Sequence, residues 1–453
     1  MCDTMTGETL FEMPDTRTPE VGPQVATRPG AARVKQAVRN QVQWMARDLE
    51  SLLAPDHPAR AIWGYLDLMD LSRFYAAIKA MVDRPGRPTA DPKVLLGLWL
   101  LATAEGVGSA RQLTRLCGEH DAYRWMCGGV SVNYHTLSDF RVAHQASLDD
   151  LLMQILATLA NQGLVQMQMI AQDGVKVRAS AGKASFRERT SLDGHLEVAR
   201  AQVARLALER EHPDPTVSAR QQRARERAAR ERQERLERAI ADLPALQAVK
   251  VKTAQRRGKG TPVVEARASS TDPDARVMRM GDGGFRPAYN VQVASTVGNG
   301  FVVGVTVSNA GTDVGLAVPM AQQVAERTGT IPGALLMDGG YVDRADITTL
   351  ERQGTTVYAP PRSARRADGT RSPLRPYAGD TPEVAAWHAR MSTDEAKEIY
   401  KHRPATAEWV NAQFRQRHDV TQFTVRGIAR VTCVMLLVAI THDLLRWNAL
   451  SMV

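Results

Sequence analysis

Three acidic residues lie where carboxylates could act together on a phosphate ester: Asp173, Asp338 and Glu408. Asp173 lies in the alternating segment 169–177, which predicts a strand, Asp338 ends a short apolar strand, and Glu408 lies on a predicted helix. A carboxylate on a buried strand is costly unless it is paired, metal-bound or at the strand end. Two strand carboxylates and one helix carboxylate suit two hard divalent ions, Mg²⁺ or Mn²⁺, which can activate a water or a 3′-hydroxyl at phosphorus. The alternative is that each Asp-Gly pair is simply a turn.

Other polar residues are weaker candidates. Asp272 and Asp274 precede the second long strand and are typical of turns beside a site, and Asp313 and Asp343 could cap helices. Four further residues are of types that bind zinc, although their spacing differs from that of paired zinc ligands: Cys117, His120, Cys127 and His135. The chain has no GxxxxGK(S/T) motif, which argues against the use of a nucleoside triphosphate, and no GxSxG motif.

The elements that would carry these residues are strands alternating with helices. A hairpin is predicted around Gly298-Asn299-Gly300, and a basic helical stretch separates it from the strand of Asp173. The later predicted elements are a helix over 314–327, a strand over 334–338, a helix over 344–353, a strand over 355–359, an irregular basic loop over 361–382, and a helical region from 395 with a break at Pro404. This order predicts an α/β fold with a mixed sheet flanked by helices.

The chain before the first strand is predicted to be helical. Residues 1–35 are interpreted as a flexible leader and residues 36–160 as a helical domain, in which Asp91 suits the N-cap and Pro92 the first position of a helix. Several short helices joined by polar turns are typical of helix-turn-helix proteins, which favours DNA binding by this domain. The alternative is a helical scaffold that does not touch DNA.

Positive charge is concentrated in one part of the chain. The formal net charge is +9, and residues 200–260 hold 16 Lys and Arg against 8 Asp and Glu, which leaves +1 for the rest. Residues 220–240 are predicted to form a long exposed helix with many Glu–Arg pairs. Four arginines of this helix are predicted to hold DNA phosphates: Arg223, Arg225, Arg227 and Arg230. The alternative is a solvated helix face on which the charges pair with one another.

The composition excludes several classes of protein. With 43% hydrophobic residues the 453-residue chain can bury a sizeable core, which excludes wholesale disorder. No apolar run approaches the ~20 residues of a membrane span, and residues 431–440 are interpreted as a buried helix. The polar N-terminus lacks the apolar region of a secretory signal, and four cysteines without a CxxC pair are too few for a disulfide framework. A cytoplasmic protein is therefore predicted.

Most of the chain resembles a known family. The resemblance rests on residues 134–141, 173–178, 270–276, 284–292, 338–341 and 400–411, taken in this order. Residues 165–445 resemble the DDE-type transposases of bacterial insertion sequences, and residues 60–150 resemble the helical N-terminal domain of the same group. A single Asp-Gly pair is a weak signal, but the ordered set is specific.

The resemblance implies a ribonuclease-H-like catalytic core over 161–453, interrupted by a basic helical insertion over 182–262. In this core Asp173, Asp338 and Glu408 would hold two Mg²⁺ ions, or Mn²⁺. Such enzymes bind double-stranded DNA at the terminal inverted repeats of their element, cut it, and join the freed 3′-hydroxyl to target DNA. Two element ends are paired during the reaction, which implies at least a homodimer on DNA.

Five further residues are expected to contact DNA near the acidic trio. By resemblance, Tyr400 and Arg403 belong to the signature of the glutamate helix, and Arg415 stands where a lysine is usual. The gap from Arg403 to the glutamate is one residue longer than in the best-known version of the signature. Lys176 and Arg178 follow the first aspartate, and one of them is expected to face DNA phosphates.

Two other functions stay open on the sequence. One is a non-catalytic DNA-binding protein derived from a transposase, which would need DNA but no metal. The other is a metal-dependent DNA nuclease that cuts without joining the ends. The acidic trio argues against the first, and only the presence or absence of a strand-transfer product separates the second from a transposase.

Overall fold

The computed structural model of the chain describes residues 46–78, 80, 88–211, 216–258, 261–361 and 378–451. The predicted leader, the start of the helical region predicted from residue 36, and most of the loop predicted over 361–382 lie outside these residues. Asp48 and the described residues that follow it pack as one unit.

The N-terminal part is helical, as predicted, and five of the seven helices listed below begin at a side-chain cap. Asp91 accepts a hydrogen bond from the backbone N–H of Lys93, and Pro92 takes the first helical position, which confirms the predicted start. Asn133 caps a later helix in the same way. The helices are α1 (Pro58–Leu68), α2 (Ser72–Tyr75), α3 (Pro92–Ala104), α4 (Ala110–Glu119), α5 (Asp121–Cys127), α6 (Tyr134–Ala143) and α7 (Gln145–Asn161).

A mixed sheet follows the helices. The strands of the chain are β1 (Ile170–Arg178), β2 (Phe186–Arg187), β3 (Ala268–Ser269), β4 (Arg276–Arg279), β5 (Phe285–Thr296), β6 (Val302–Ser308), β7 (Ala334–Leu336) and β8 (Thr356–Tyr358). β5 pairs antiparallel with β1, and also with β4 and β6. β1 pairs parallel with β7, and β7 with β8. This mixed sheet, flanked by helices, confirms the predicted α/β class and is consistent with a ribonuclease-H-like core.

Two long helices form the insertion after β1. They are α8 (Arg189–Glu211) and α9 (Ala219–Arg257). The helices bury a small core of their own, in which Leu192 and Leu196 of α8 pack with Leu236 and Leu243 of α9. The short ladder of β2 with β3 joins the two ends of the insertion. The long helix predicted over 220–240 is confirmed as part of α9, and with α8 packed against it the insertion is a helical hairpin.

The ion pairs of α9 differ from the prediction. The sequence predicted many Glu–Arg pairs within this helix, but within its described side chains no Glu–Arg pair three or four residues apart is formed. The ion pairs of α9 reach other elements instead: Arg200–Glu237, Arg238–Asp274 and Asp242–Arg276. The prediction was wrong: Glu237 and Asp242 pair with other elements, and Arg223, Arg225, Arg227 and Arg230 are exposed on the surface of α9.

The helices that flank the sheet begin after β6. They are α10 (Ala317–Thr328), α11 (Arg344–Arg352), α12 (Pro382–Met391), α13 (Asp394–Tyr400), α14 (Trp409–Gln416) and α15 (Ile428–Ser451). Pro404 does not break this region, contrary to the prediction, because it opens a π-helical turn, Pro404–Glu408, that runs directly into α14. A proline is tolerated in a first turn, where its missing N–H leaves no partner unbonded. The helical region is interrupted instead at 417–427.

The final helix, α15, is the core helix of the chain. It contacts α3, α6, α7 and β6. By length and composition alone it is the one described helix that could cross a membrane, but 67% of its apolar window is buried inside the structure. The predicted buried helix over 431–440 lies within it. Asp443 is fully buried on this helix and accepts a hydrogen bond from the backbone N–H of Val302 at 2.8 Å.

Replacing Asp443 with asparagine should change how stability depends on pH. Burial raises the pKa of Asp443 well above its ordinary value, and the Val302 hydrogen bond only partly offsets this. Below the unfolded pKa, Asp443 makes its whole contribution to the free energy of unfolding. As pH rises from the unfolded pKa toward the folded pKa, that contribution falls by about 1.4 kcal/mol per pH unit, because the folded state still binds the proton and the unfolded state does not. The asparagine variant should lack this loss, so it should gain stability relative to the wild type between pH 4 and pH 8.

Urea unfolding of both proteins across this range measures the difference. Burial lowers the pKa of His418 and His442 to about 4, and their titration changes stability in the opposite direction. Because both histidines are present in both proteins, the difference isolates Asp443. A difference that does not vary with pH would contradict the assignment.

Candidate active site

Asp173 and Asp338 lie near each other on two adjacent parallel strands, Asp173 within β1 and Asp338 two residues after the end of β7. β1 pairs with β7 through Ala171 and Leu336, and each aspartate follows its paired residue by two positions. Because side chains alternate along a strand, this register places both carboxylates on the same face of the sheet. Burial raises the pKa of Asp173, and the neighbouring charge of Asp338 raises it further. The structure therefore brings together the two aspartates that the sequence singled out.

Protein groups hold both oxygens of the Asp173 carboxylate. Against the effect of burial, the guanidinium of Arg403, 3.0 Å from Oδ1, is the strongest influence that lowers the pKa of Asp173. The backbone N–H of Gly174 donates to Oδ1 at 2.9 Å, and the Asn411 side-chain amide donates to Oδ2 at 3.0 Å. Hydrogen bonds to a charged carboxylate favour its ionised form. These groups thus fix the orientation of the Asp173 carboxylate and partly offset the cost of burying its charge.

The first Asp-Gly pair is not a turn, so the turn interpretation is wrong there. Asp173 and Gly174 lie within β1, paired with Val293 and Gln292 of β5. A Cβ atom at Gly174 would lie 2.7 Å from Oδ1 of Asp313, closer than real Cβ atoms approach other atoms. The glycine is therefore explained by the close approach of side chains from the neighbouring elements.

The second Asp-Gly pair is a turn at the edge of the same site. The backbone N–H of Gly340 donates to Oδ1 of Asp338 at 2.6 Å, and that of Tyr341 donates to its carbonyl oxygen at 3.2 Å. Tyr341 is fully buried, and burial raises its pKa, with the charges of Asp313, Asp173 and Asp338 adding to the effect. The Tyr341 hydroxyl is therefore protonated beside a group of carboxylates.

Arg403 links the first aspartate to Glu408. Its Nη2 lies 3.0 Å from Oδ1 of Asp173, and its Nη1 donates to Oε1 of Glu408 at 3.3 Å. The Arg403 side chain is 8% exposed, whereas that of Glu408 is 60% exposed. The buried guanidinium is therefore compensated from two sides, by one carboxylate on the sheet and one on the helix.

A π-helical turn allows this contact. Arg403 and Glu408 are five residues apart, whereas residues three or four apart share a face of an α-helix. The π-helical turn Pro404–Glu408 carries one residue more than an α-helical turn, so it places Glu408 on the side of Arg403. The π-helical turn therefore accommodates the additional residue between Arg403 and Glu408 that the sequence shows. Such turns are frequent at functional sites.

The donor atoms suit a hard divalent ion, although they are not gathered around one point. Within the part of the chain that the structure describes, no group of three Asp, Glu, His or Cys side chains could hold a metal ion. Arg403 lies between the carboxylates of Asp173 and Glu408 and is paired with both. Carboxylate oxygens are nevertheless the ligands that Mg²⁺ and Mn²⁺ prefer, so the donor chemistry fits these ions.

The predicted DNA contacts lie in different surroundings. Tyr400 is half-buried beside the site; burial raises its pKa, and the charge of Arg403 acts against this. Arg415 is exposed near the end of α14. Lys176 and Arg178 lie on the opposite face of β1 from the Asp173 carboxylate, because they are an odd number of residues away. Their contact with DNA stays a prediction, as does that of the exposed arginines of α9.

The remaining candidates have structural partners. Asp343 caps α11, as predicted, whereas Asp313 caps no helix and accepts hydrogen bonds from Asn290 and Gln292 at 2.8 and 2.9 Å. Asp272 is buried and accepts from the hydroxyl of Tyr289 at 2.7 Å. In the described ranges the zinc-type residues form no metal cluster: His120 caps α5, His135 stacks on Tyr134, and the thiols of Cys117 and Cys127 are hydrogen-bonded to each other.

Asn411 is a site residue that sequence reasoning did not single out. It lies on α14 three residues after Glu408, so both side chains are on one side of the helix. Its amide nitrogen donates to Asp173, and its Oδ1 is buried without a hydrogen-bond partner. The i, i+3 spacing after a suspected catalytic glutamate was the only signal in the sequence that could have identified it.

Two family models match the chain, one before the first strand of the mixed sheet and one after its last strand. The family described as Transposase domain (DUF772) matches residues 47–143, which hold α1 to α6. The family described as Transposase DDE domain matches residues 369–447, which include Glu408 and most of α15. No curated protein and no solved structure matches the chain. DDE transposase domains generally use divalent metal ions, and transposases bind DNA. The two matches, together with the fold, support a DDE-type transposase.

Proposed function

We propose that this transposase binds the terminal inverted repeats of its insertion sequence, cleaves the DNA there and joins the 3′ ends to target DNA. The proposal rests on one observation: Asp173, within β1, and Asp338, just after the adjacent parallel strand β7, each follow a paired residue by two positions, and Glu408 is linked to Asp173 through Arg403. This arrangement offers carboxylates from two strands and one helix on one side of the sheet. It supports phosphoryl transfer with two divalent ions, Mg²⁺ or Mn²⁺.

The residues of the site would have separate roles. Asp173, Asp338 and Glu408 would hold the ions, which when bound activate a water or a 3′-hydroxyl and stabilise the leaving oxygen. Arg403 favours the ionised form of Asp173 despite its burial, and Asn411 orients the second oxygen of that carboxylate. The protein needs no nucleophilic side chain, because the attack on phosphorus is direct.

Positively charged surfaces would position the DNA. Tyr400 and Arg415 would contact it beside the carboxylates, and the helical N-terminal part, residues 36–160, would bind the element ends. The exposed arginines of α9 and the β1 residues Lys176 and Arg178 would hold phosphates without reading bases. Pairing of two element ends implies a homodimer on DNA in the cytoplasm, at the bacterial nucleoid. We propose neither a nucleoside triphosphate nor a membrane as a partner.

A joining assay tests this proposal. A duplex that ends in the terminal repeat of the element with a free 3′-hydroxyl is incubated with the protein, Mg²⁺ and supercoiled plasmid. We expect labelled duplex joined to plasmid. Binding without any product would favour the DNA-binding alternative, and cleavage of the repeat without joined product would favour a nuclease; either outcome would contradict the proposal.

Replacing Arg403 with glutamine should move the acidic limb of the pH–rate profile to higher pH. Asp173 must be ionised to bind a cation, and the Arg403 charge is the main influence that lowers its pKa. Without that charge the pKa rises further, so a higher pH is needed for the same ionised fraction. Single-turnover cleavage rates between pH 5.5 and 9 measure the shift. Arg403→Lys keeps the charge and should shift the limb less, whereas an unmoved limb in Arg403→Gln would refute this role.

A further inference from the structure

A cleft of about 710 Å³ lies where three separate parts of the chain meet. Its walls come from α6, from the middle of α9 and from the segment 424–430 at the start of α15, and residues 271–274 also line it. None of the acidic trio of the candidate active site lines it. The cleft therefore joins the N-terminal helices, the insertion and the catalytic part around one space.

Three arginines line this cleft without carboxylate partners: Arg235 of α9, Arg426, and Arg430 of α15. In the described chain none of the three has an acidic oxygen within ion-pair distance. The Nε of Arg235 is buried and has no hydrogen-bond partner. Burial lowers the pKa of Arg235, and the charges of Arg426 and Arg430 lower it further. Three arginines that line one space, one of them with a buried donor unused, indicate a site for an anion.

Two of the five acidic residues that line the cleft, Asp272 and Asp274, have hydrogen-bond partners within the protein. Asp274 accepts from Arg238 at 2.6 Å and from the backbone N–H of Ile428 at 2.9 Å, and Asp272 accepts from Tyr289. Glu231 lies near enough to raise the pKa of Arg235 without forming an ion pair with it. Asp139 and Glu234 also line the space.

Arg141 and Arg426 each make a hydrogen bond within the protein, although the Nε of Arg141 is buried without a partner. Arg141 donates to the carbonyl oxygen of Gly108 at 2.6 Å and packs over the ring of Trp99. Arg426 donates its Nε to the carbonyl oxygen of Ser180 at 3.1 Å, which orients its guanidinium and leaves the terminal nitrogens available. The available donors therefore come from Arg235, Arg426 and Arg430, and planar guanidinium groups suit phosphate oxygens.

We propose that this cleft binds a backbone phosphate of DNA and so clamps one strand between the insertion hairpin and the C-terminal segment. The inference rests on the proposed function, because it assumes that DNA is the substrate. It does not involve the exposed arginines nearer the start of α9. A diester of DNA is preferred over free phosphate because the cleft is open to solvent and spans elements from three parts of the chain, as an extended polymer requires.

The test compares duplex binding by the wild type and by Arg235→Gln/Arg430→Gln over a range of salt concentrations. We expect the double variant to bind at least about tenfold more weakly at low salt, with the slope of log affinity against log salt reduced by about 2. The matched control is Arg189→Gln on α8, which removes an exposed charge that pairs with Asp193 outside the cleft. Arg430→Gln alone, at an exposed position, should lower the slope by about 1.

Each outcome decides the inference. An unchanged slope in the double variant, or an equal change in the Arg189→Gln control, would overturn it. If 10 mM inorganic phosphate raises the melting temperature of the wild type but not of the double variant, while the DNA slopes stay equal, the cleft binds free phosphate and the DNA assignment is wrong. A wild type that binds with the expected slopes but yields no cleaved or joined DNA would instead refute the proposed function and leave the clamp standing.

Discussion

Asp338→Asn is expected to reduce the rate of Mg²⁺-dependent DNA cleavage by about a thousandfold or more, because a carboxylate that holds catalytic ions contributes several kcal/mol to the transition state. Asp338 lies in register with Asp173, so the two charges form the shared part of the site. The asparagine is neutral and binds hard divalent ions less well. Its side-chain oxygen can still accept the hydrogen bond from the backbone N–H of Gly340, so the local turn should persist.

The matched control for this prediction is Asp343→Asn. Asp343 is an acidic residue of the same segment, but its side chain caps α11, and asparagine is an equally good N-cap. We expect this variant to cleave like the wild type. Both variants should bind DNA and unfold at temperatures close to that of the wild type. Equal cleavage rates in the two variants would remove Asp338 from the catalytic group.

Insertion of one alanine between Ala405 and Thr406 is expected to reduce cleavage by more than about a hundredfold. One additional helical residue rotates the two flanking parts of the helix against each other by about 100° and separates them by about 1.5 Å. Arg403 would then no longer meet Glu408, and displacements of this size at a reacting centre cost about this much in rate. Deletion of Ala405, which is exposed, should be far milder. It would convert the π-helical turn to an α-helical one and leave the arginine and glutamate four residues apart, on one face.

Single-turnover cleavage rates of the two variants test this role of the π-helical turn, and circular dichroism controls for folding. The insertion and the deletion change the same segment by one residue each, so general damage should affect both alike. We expect the deletion variant to stay within about tenfold of the wild type. The role would be refuted by an active insertion variant, or by a deletion variant as inactive as the insertion.

Local signals in the sequence were sufficient for much of the fold. Asp91 before Pro92 marks a helix start that depends only on neighbouring residues, and the alternation around Asp173 marks a strand in the same way. The two aspartates could be predicted to act together, because each lies at a strand position where a carboxylate needs a compensating partner. The glutamate was identified through the resemblance and not from periodicity.

The rest of the site depends on contacts between distant parts of the chain. The π-helical turn was not predicted, because in the sequence Pro404 indicates a helix break, and the ion pair between Arg403 and Asp173 is visible only in the structure. Asn411 reaches Asp173 across 238 positions of sequence, and no local pattern specifies such a contact. The pairing of α8 with α9 likewise depends on a small core that sparse leucines do not reveal.

Mapping strand ends on DNA that carries the sequences flanking this gene tests the central claim most directly. The DNA is incubated with Mg²⁺ and either the wild type or Asp338→Asn, and the ends are mapped to the nucleotide. We predict cuts at the element boundary with free 3′-hydroxyl ends, present with the wild type and absent with the variant. Equal DNA binding by both proteins with no cleavage by either would contradict the claim that Asp173, Asp338 and Glu408 form a catalytic site.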